Sequence, residues 1–213
     1  MCHNDQYELA LSFWRVSLQY LSIVENIARE TEVQGNTLVL TKDIKDGPIT
    51  PEEYKEKTMW SDHNVIVPLL FNLYHGIELL VKGFLLIDAS TDVKPRHTVQ
   101  ELSRQFAKLF PGEDVLIGFV QKYTEEAHLP NILAEFITDN AMTFKDLYQA
   151  LRYPTDTDFQ KLNRYLKLKY QGENGIRFFT ELHQDVQTAR IAAVMLGRSL
   201  EPKKEDGQQA DRH

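Results

Sequence analysis

The stretch that decides the fold is Phe71–Leu86, FNLYHGIELLVKGFLL. Its large apolar residues surround the whole helical circumference, which is typical of a helix buried in a protein core. Polar side chains nevertheless occur at His75, Glu78 and Lys82. At about 100° per residue these three share a narrow sector with Asn64, so they form one polar stripe along the predicted helix.

Two glycines mark another side of the same helix. Gly76 and Gly83 lie seven residues apart. Glycine costs a helix about 1 kcal/mol relative to alanine. Its recurrence on one side therefore predicts that a neighbouring helix approaches closely there.

The segment 65–87 is long and apolar enough to raise the question of a membrane span. Glu78 and Lys82 would then lie deep in the bilayer, where charged side chains are costly. We therefore predict a buried helix of a soluble protein over about 62–88, and no membrane partner.

Composition narrows the class of protein. With 213 residues and 42% hydrophobic content, the chain can build one core, which we assign to residues 1–200, followed by a polar tail at 201–213. A net charge of -7 argues against electrostatic binding of nucleic acid over the whole protein surface, but it is compatible with a local basic face. Cys2 is the only cysteine, which excludes an internal disulfide and suits a cytoplasmic protein.

Apolar residues at intervals of three and four predict a mostly helical chain. Further helices are expected at 62–88, 98–110, 114–127, 132–140, 144–151, 158–170 and 176–200, with a short one after Thr50-Pro51 and a capping box at Thr98 and Glu101. The first long helix, 7–29, carries one apolar face made of Leu9, Phe13, Val16, Tyr20, Ile23, Val24 and Ile27.

Between the first two long helices, residues 35–62 break the helical rhythm with Gly47-Pro48 and Thr50-Pro51. The alternating run Thr37–Thr41 could be one strand of a short hairpin. The predicted fold is all-α: an antiparallel bundle of four to five helices with this polar excursion inserted.

Three interpretations of the polar stripe stay open. Glu78 and Lys82 could form a pair at the edge of the bundle, with His75 bonded to a neighbouring oxygen. The stripe could instead face a cleft or a partner. A di-iron site would need Glu-x-x-His on two helices, and only Glu125–His128 has that order, so we predict no metal and no cofactor.

Three segments resemble the HEPN (higher eukaryotes and prokaryotes nucleotide-binding) superfamily. Residues 71–83 are similar to its aromatic-x-x-x-His-x-x-Glu-x-x-x-Lys helix, and residues 147–154 to its Arg-Tyr-Pro element. Residues 96–102 are similar to its His-x-Leu segment, with Val99 in place of leucine. The segments follow the family's order over about 62–200, whereas 35–62 lies outside the resemblance.

The resemblance implies a helical bundle, often a homodimer, acting in defence, toxin–antitoxin or stress systems or beside a nucleotidyltransferase. Its catalytic members resemble metal-independent ribonucleases with arginine, four to six residues, then histidine. Arg177 and His183 have that spacing, although Phe178 stands where a polar residue is usual. Histidine can act as a general acid or base and arginine can hold a phosphate.

The same two residues also fit an ordinary amphipathic helix. Six residues apart, Arg177 and His183 point in different directions on a straight helix. They would converge only at a bent helix start or across a dimer. The neighbouring apolar residues have the spacing of a core face: Ile176, Phe179, Leu182 and Val186.

Each of the other candidate basic side chains has two interpretations. Arg152 precedes Tyr153-Pro154, where it could anchor a carboxylate such as that of Glu78 or hold a phosphate. Lys161, Arg164 and Lys167 are interleaved with tyrosines in the predicted helix 158–170, a pattern of RNA contacts or of a solvated face.

The leading hypothesis is a non-catalytic HEPN-like module that binds nucleotide, RNA or a protein partner. One alternative is a metal-independent endoribonuclease that uses Arg177 and His183. A further alternative is a purely structural helical partner protein.

Overall fold

The structure is a computed structural model that describes residues 3–38, 40, 47–88, 98–156 and 158–202. These residues form helices and no strand, apart from an isolated bridge between Thr155 and Leu162. The all-α prediction is confirmed. The helices are α1 (His3–Gln34), α2 (Pro51–Thr58), α3 (Asp62–Leu85), α4 (Val99–Leu109), α5 (Asp114–Thr124), α6 (Asn131–Asp139), α7 (Phe144–Arg152) and α8 (Gly172–Ser199).

Three long helices, α1, α3 and α8, form the centre of the molecule. Helix α1 runs antiparallel to α3, because Trp14 lies beside Gly83 while Leu21 lies beside Gly76. It also runs antiparallel to α8, since Tyr7 bonds to Gly197 near the end of α8. The buried side chains of α3 form the middle of the apolar core, and the short helices α4 to α7 pack around it.

The two glycines of α3 are where α1 comes closest, as predicted. A Cβ at Gly76 would lie 3.0 Å from Leu21, and one at Gly83 would lie 2.5 Å from the ring of Trp14. The hydroxyl of Ser17 donates a 2.7 Å hydrogen bond to the carbonyl of Gly76. The missing side chains thus allow the two helix backbones to pack closely.

A buried polar junction joins the ends of the three long helices. The Asp62 carboxylate at the start of α3 accepts hydrogen bonds from the backbone N–H groups of Tyr170 and Gln171, just before α8. It also accepts one from the Asn36 side chain, which follows α1. Because Asp62 is fully buried, this junction fixes how the helix ends meet.

The apolar face predicted for α1 is mostly not the face that the protein buries. Leu9, Val16 and Ile23 are exposed, whereas Val24 is buried. Small residues complete the buried face because α3 approaches so closely. That face consists of Ala10, Trp14, Ser17, Leu21, Val24, Ala28 and Thr31.

The prediction of a helix at 158–170 is wrong. Only a single 3-10 turn, Tyr165–Lys167, forms there. The Asp156 carboxylate accepts hydrogen bonds from the backbone N–H groups of Gln160 (2.8 Å) and Lys161 (3.2 Å). Side-chain bonds of this kind compete with helical hydrogen bonding, so the segment runs irregularly.

The excursion contains the predicted short helix α2, which starts at a capping box between Thr50 and Glu53. A second capping box, of Thr98 and Glu101, starts α4 as predicted. Residues 37, 38 and 40 form no strand, and the rest of the predicted strand and hairpin, 39 and 41–46, lies outside the described residues. Residues 96–97 and 203–213 lie outside them too.

Helix α3 is, among the described residues, the one helix long and apolar enough to cross a membrane. Over half of its most apolar window is buried inside the protein. A core helix of a soluble protein has the same character, so its length and composition are weak grounds for a membrane span.

Candidate functional site

Helices α3 and α7 bring a histidine, an arginine and two aromatic rings together. Phe71 and His75 are one turn apart on α3, as are Tyr148 and Arg152 on α7. The ring of Phe71 stacks on His75 at 6.0 Å and on Tyr148 at 5.7 Å between centroids. We call Phe71, His75, Tyr148 and Arg152 the α3–α7 cluster.

Local sequence positions α7 for this contact. A capping box of Thr143 and Asp146 starts the helix, and it ends before Pro154, because the residue that precedes a proline disfavours helical geometry. Near its start, Phe144 packs edge-on against Tyr74 of α3, with ring centroids 5.8 Å apart. Tyr148 therefore reaches His75 one turn later.

His75 has the most polar contacts in the cluster. Its Nδ1 lies 3.1 Å from the Tyr148 hydroxyl and 4.0 Å from the Glu78 carboxylate. Partial burial holds the pKa of His75 below its ordinary value, against the opposing effect of Glu78. Burial and Glu78 raise the pKa of Tyr148 to about 12. At neutral pH the pair is thus an uncharged imidazole beside an intact phenol.

Glu78 and Lys82 form the ion pair expected from their spacing. Lys82 Nζ lies 2.6 Å from a Glu78 carboxylate oxygen, and both side chains are mostly shielded from solvent. The Tyr20 ring of α1 packs perpendicular to the His75 ring, with centroids 4.7 Å apart. The polar stripe therefore lies at the rim of the bundle between α1 and α7, and it contains an internally paired glutamate and lysine.

Arg152 does not anchor Glu78. Its exposed guanidinium makes no ion pair with the described residues and lies over the rings of Tyr148 (5.8 Å) and Tyr153 (5.5 Å). Beside it is a pocket of about 380 Å³ whose lining is otherwise mostly apolar: Val67, Pro68, Phe71, Leu151, Arg152 and Tyr153. The arginine is thus held at the rim of an apolar pocket with its hydrogen-bonding edge available.

A smaller groove lies on the other side of Tyr148, between α3, α4 and α7. It encloses about 140 Å³ and is lined in part by Tyr74, Glu78 and Phe144. The Tyr74 hydroxyl is buried and has no hydrogen-bond partner among the described residues. Burial raises the pKa of Tyr74, so this phenol stays protonated. The two pockets flank the α3–α7 cluster.

Within one chain, Arg177 and His183 are not brought together. Arg177 donates to the Asn174 side chain and lines a pocket between α6 and α8. His183 Nδ1 lies 3.4 Å from a Glu32 carboxylate oxygen of α1. Helix α8 is continuous through both positions, so the bent helix start that would let them converge is not present.

The basic residues of segment 158–170 do not share one helix face. Lys161 donates to the backbone carbonyl of Asn140, and Lys167 pairs with Glu135 at 3.6 Å. The exposed Arg164 is fixed through its backbone, which exchanges two hydrogen bonds with the Asn140 side chain. Two of the three cations are thus engaged within the chain.

Sequence reasoning named His75, Glu78, Lys82 and Arg152 but missed the rings around them. Phe71 and Tyr148 each lie four residues from a named polar residue, His75 and Arg152 respectively. That spacing on a helix was the available signal. No signal of this kind indicated that Tyr20 approaches His75, because that contact depends on which face α1 turns toward α3.

No three His, Cys, Asp or Glu side chains of the described residues are grouped so that they could hold a metal ion. Comparison of the chain with models of protein families, with curated proteins and with solved structures gave no match. Function is therefore inferred from the site geometry.

Proposed function

We propose that the protein is a non-catalytic, HEPN-like helical module that binds a nucleotide or single-stranded RNA at the α3–α7 cluster. The observation that carries the proposal is Arg152, an exposed guanidinium without an ion pair among the described residues, at the rim of an apolar pocket with an aromatic wall.

The chemistry of a nucleotide matches the two halves of this surface. A base is flat and apolar on its faces, and stacking on an aromatic side chain contributes about 1–3 kcal/mol. The shallow, mostly apolar depression beside Phe71 and Tyr153 offers aromatic side chains for such a contact. The planar, charged guanidinium of Arg152 matches the geometry of a phosphate and can donate two hydrogen bonds to it.

His75 adds a neutral donor or acceptor to the same surface. Its Nδ1 is engaged with Tyr148, and its Nε2 has no partner among the described residues. A ligand hydroxyl or phosphate oxygen could bond to Nε2, and the neutral imidazole adds no full charge to the site. In this proposal His75 orients the ligand and performs no proton transfer.

The direct test measures affinity for a labelled oligouridine RNA and for adenosine monophosphate as its competitor. We expect Arg152→Ala to weaken binding about tenfold or more, because hydrogen bonds to a charged group contribute about 1.5–3 kcal/mol. The matched control is Arg198→Ala, which removes the same charge from an exposed position on α8. It should change affinity less than twofold.

Two results would remove the proposal. One is that neither RNA nor adenosine monophosphate binds the wild-type protein. The other is that Arg152→Ala and Arg198→Ala weaken binding equally, since that would reduce the effect to net charge.

The HEPN-like arrangement of the helices, a homodimeric state and a cytoplasmic role beside a nucleotidyltransferase or another protein belong to the same proposal. Support for them comes from the three segments at 71–83, 96–102 and 147–154. The structural-partner alternative predicts a protein complex that survives Arg152→Ala unchanged.

The endoribonuclease alternative has its own assay. Cleavage of an RNA pool in EDTA that is lost in both Arg177→Ala and His183→Ala would favour it. We expect no cleavage that depends on these two side chains, because Arg177 faces α6 whereas His183 faces α1.

A further inference from the structure

Residues 159–170 differ in charge from the rest of this acidic protein. The chain has a net charge of -7, yet this segment contains no acidic residue and four basic ones: Lys161, Arg164, Lys167 and Lys169. Of the two acidic residues just before it, Asp156 binds backbone N–H groups of the segment and Asp158 is exposed. We call residues 159–170 the basic segment.

Exposed apolar side chains lie between these cations along the chain. Phe159, Leu162 and Leu166 are 82%, 71% and 67% exposed in the part of the chain that the structure describes. Phe159 is the most exposed large apolar residue there. Contact of apolar surface with water is unfavourable, and exposed apolar side chains that cluster mark sites of protein or membrane contact.

The basic segment is held in place by bonds to its neighbours, so its exposure is built into the fold. The Asn140 side chain exchanges two hydrogen bonds with the backbone of Arg164. The Tyr165 hydroxyl donates a 2.6 Å hydrogen bond to the carbonyl of Ala150, and Leu168 is fully buried. These contacts fix the backbone while the apolar side chains between them stay in solvent.

Two of the cations are available to an outside partner. Arg164 is exposed, and Lys169 Nζ lies 5.9 Å from the centre of the Tyr165 ring. Neither forms an ion pair with the described residues. The other two cations contact groups of the chain itself. The charge of the segment therefore favours an anionic partner.

We infer that the basic segment binds the surface of an anionic lipid bilayer. Lysine and arginine reach the headgroups with long side chains, while apolar residues between them enter the boundary with the acyl chains. An anionic leaflet attracts each nearby cation, and stable binding takes such attraction together with apolar insertion. The basic segment supplies both on one fixed stretch of chain.

Two other kinds of anionic partner match the basic segment less well. The centre of a protein interface is depleted in charged residues, whereas here the cations lie between the apolar side chains. Single-stranded RNA stacks its bases on aromatic rings, which Leu162 and Leu166 do not offer. The Tyr170 ring already stacks on His63, with centroids 5.2 Å apart.

The inferred contact is one of the surface and not of a spanning helix. The expectation of no membrane partner rested on α3 as a core helix, which bears on a span through the bilayer and not on binding at its surface. The inference is also independent of nucleotide binding, because it uses neither Arg152 nor His75.

Flotation with lipid vesicles tests the inference on the intact chain. The wild type should float with vesicles of equal parts phosphatidylcholine and phosphatidylserine but not with phosphatidylcholine alone. We expect Leu162→Ser/Leu166→Ser to lower the partition coefficient about tenfold or more, since apolar insertion is lost. The matched control, Ile191→Ser/Met195→Ser, removes two comparably exposed apolar side chains from α8 and should bind like the wild type.

The variant Arg164→Ala/Lys169→Ala tests the charge of the segment. It should weaken vesicle binding about tenfold or more, because each cation near an anionic leaflet contributes to binding. Absence of wild-type binding to phosphatidylserine vesicles, or equal losses in the leucine variant and its control, would overturn the inference. Absent vesicle binding together with weaker oligouridine binding by Arg164→Ala/Lys169→Ala would assign the segment to RNA instead.

A dye at a single position separates insertion from attraction by charge alone. In a Cys2→Ser background, an environment-sensitive fluorophore on Leu162→Cys should shift its emission to shorter wavelength on phosphatidylserine vesicles. The same fluorophore on Ile191→Cys should not shift. Equal shifts at the two positions, or no shift at Leu162→Cys, would contradict insertion of the basic segment.

Discussion

At the scale of single residues, Asp62 matters most for how the helices meet. Its two carboxylate oxygens accept three hydrogen bonds, from the backbone of Tyr170 (2.8 Å), the backbone of Gln171 (2.7 Å) and the side chain of Asn36 (2.9 Å). Those donors come from segments far apart in the chain. Nothing in the local sequence distinguishes Asp62 from any other acidic residue at a helix start.

We expect Asp62→Ala to lower the free energy of unfolding by about 3 kcal/mol, because it leaves buried N–H donors without an acceptor. Urea denaturation measures the change. Asp114→Ala removes an exposed first-turn carboxylate from α5 and should cost about 0.5 kcal/mol, the size of a helix-dipole interaction. Equal losses in the two variants would show that the junction contributes little.

His75 provides a residue-scale prediction about pH. Because its pKa is lowered in the folded protein, the unfolded chain binds a proton at higher pH than the folded chain does. Stability is therefore full above the ordinary histidine pKa of about 6.5 and falls as the pH drops from there toward the folded value. A His75→Gln variant should lack this part of the pH dependence.

Nuclear magnetic resonance titration of the histidine rings measures the same quantity directly. The His75 ring should titrate below about 6.5. A value at or above that figure would mean that Glu78 outweighs the effect of burial, and the imidazole would then be partly charged near neutral pH.

At the scale of elements, the packing of α1 on α3 depends on two glycines that the sequence did reveal. Their placement on one side of α3 predicted a close helix neighbour, and Leu21 and Trp14 are found there. The sequence could not show which face α1 would present. Both of its faces have apolar residues at helical spacing, and the buried one includes alanine and serine, which a search for large apolar residues passes over.

Substitution by alanine should have opposite effects at two helical glycines. At Gly83 the new Cβ would lie 2.5 Å from the ring of the buried Trp14. We expect Gly83→Ala to destabilise the protein by about 1–3 kcal/mol, as overpacking does. At Gly118 of α5 nothing lies within 4 Å, so Gly118→Ala should stabilise it by up to about 1 kcal/mol.

Thermal and urea unfolding of the two glycine variants would test this pair of signs. A Gly83→Ala protein as stable as wild type would show that α1 and α3 are not as close as described.

At 158–170, by contrast, the sequence pattern predicted a helix that does not form. There, the backbone N–H groups of Gln160 and Arg164 donate to the side-chain oxygens of Asp156 and Asn140, and these bonds outweigh helix-forming composition.

At the scale of the whole molecule, apolar periodicity and capping residues predicted the all-α class. They also predicted the start of α2 and the approximate bounds of the other seven α-helices in the described part of the chain. The candidate site could be read only in part. His75 stands out as a polar residue in the apolar helix α3, and Arg152 stands out before Tyr153-Pro154 at a helix end. However, 73 residues separate His75 from Tyr148. Their contact depends on how α7 docks on α3, which no local pattern specifies.

The central claim is that the α3–α7 cluster binds the nucleotide, and histidine resonances can test it in the intact protein. We would titrate adenosine monophosphate into protein with labelled histidine rings and follow His75 and His183. The account predicts saturable shifts at His75, lost in Arg152→Ala and kept in Arg198→Ala, with His183 unaffected. Shifts confined to His183, or no shift at either ring, would contradict it.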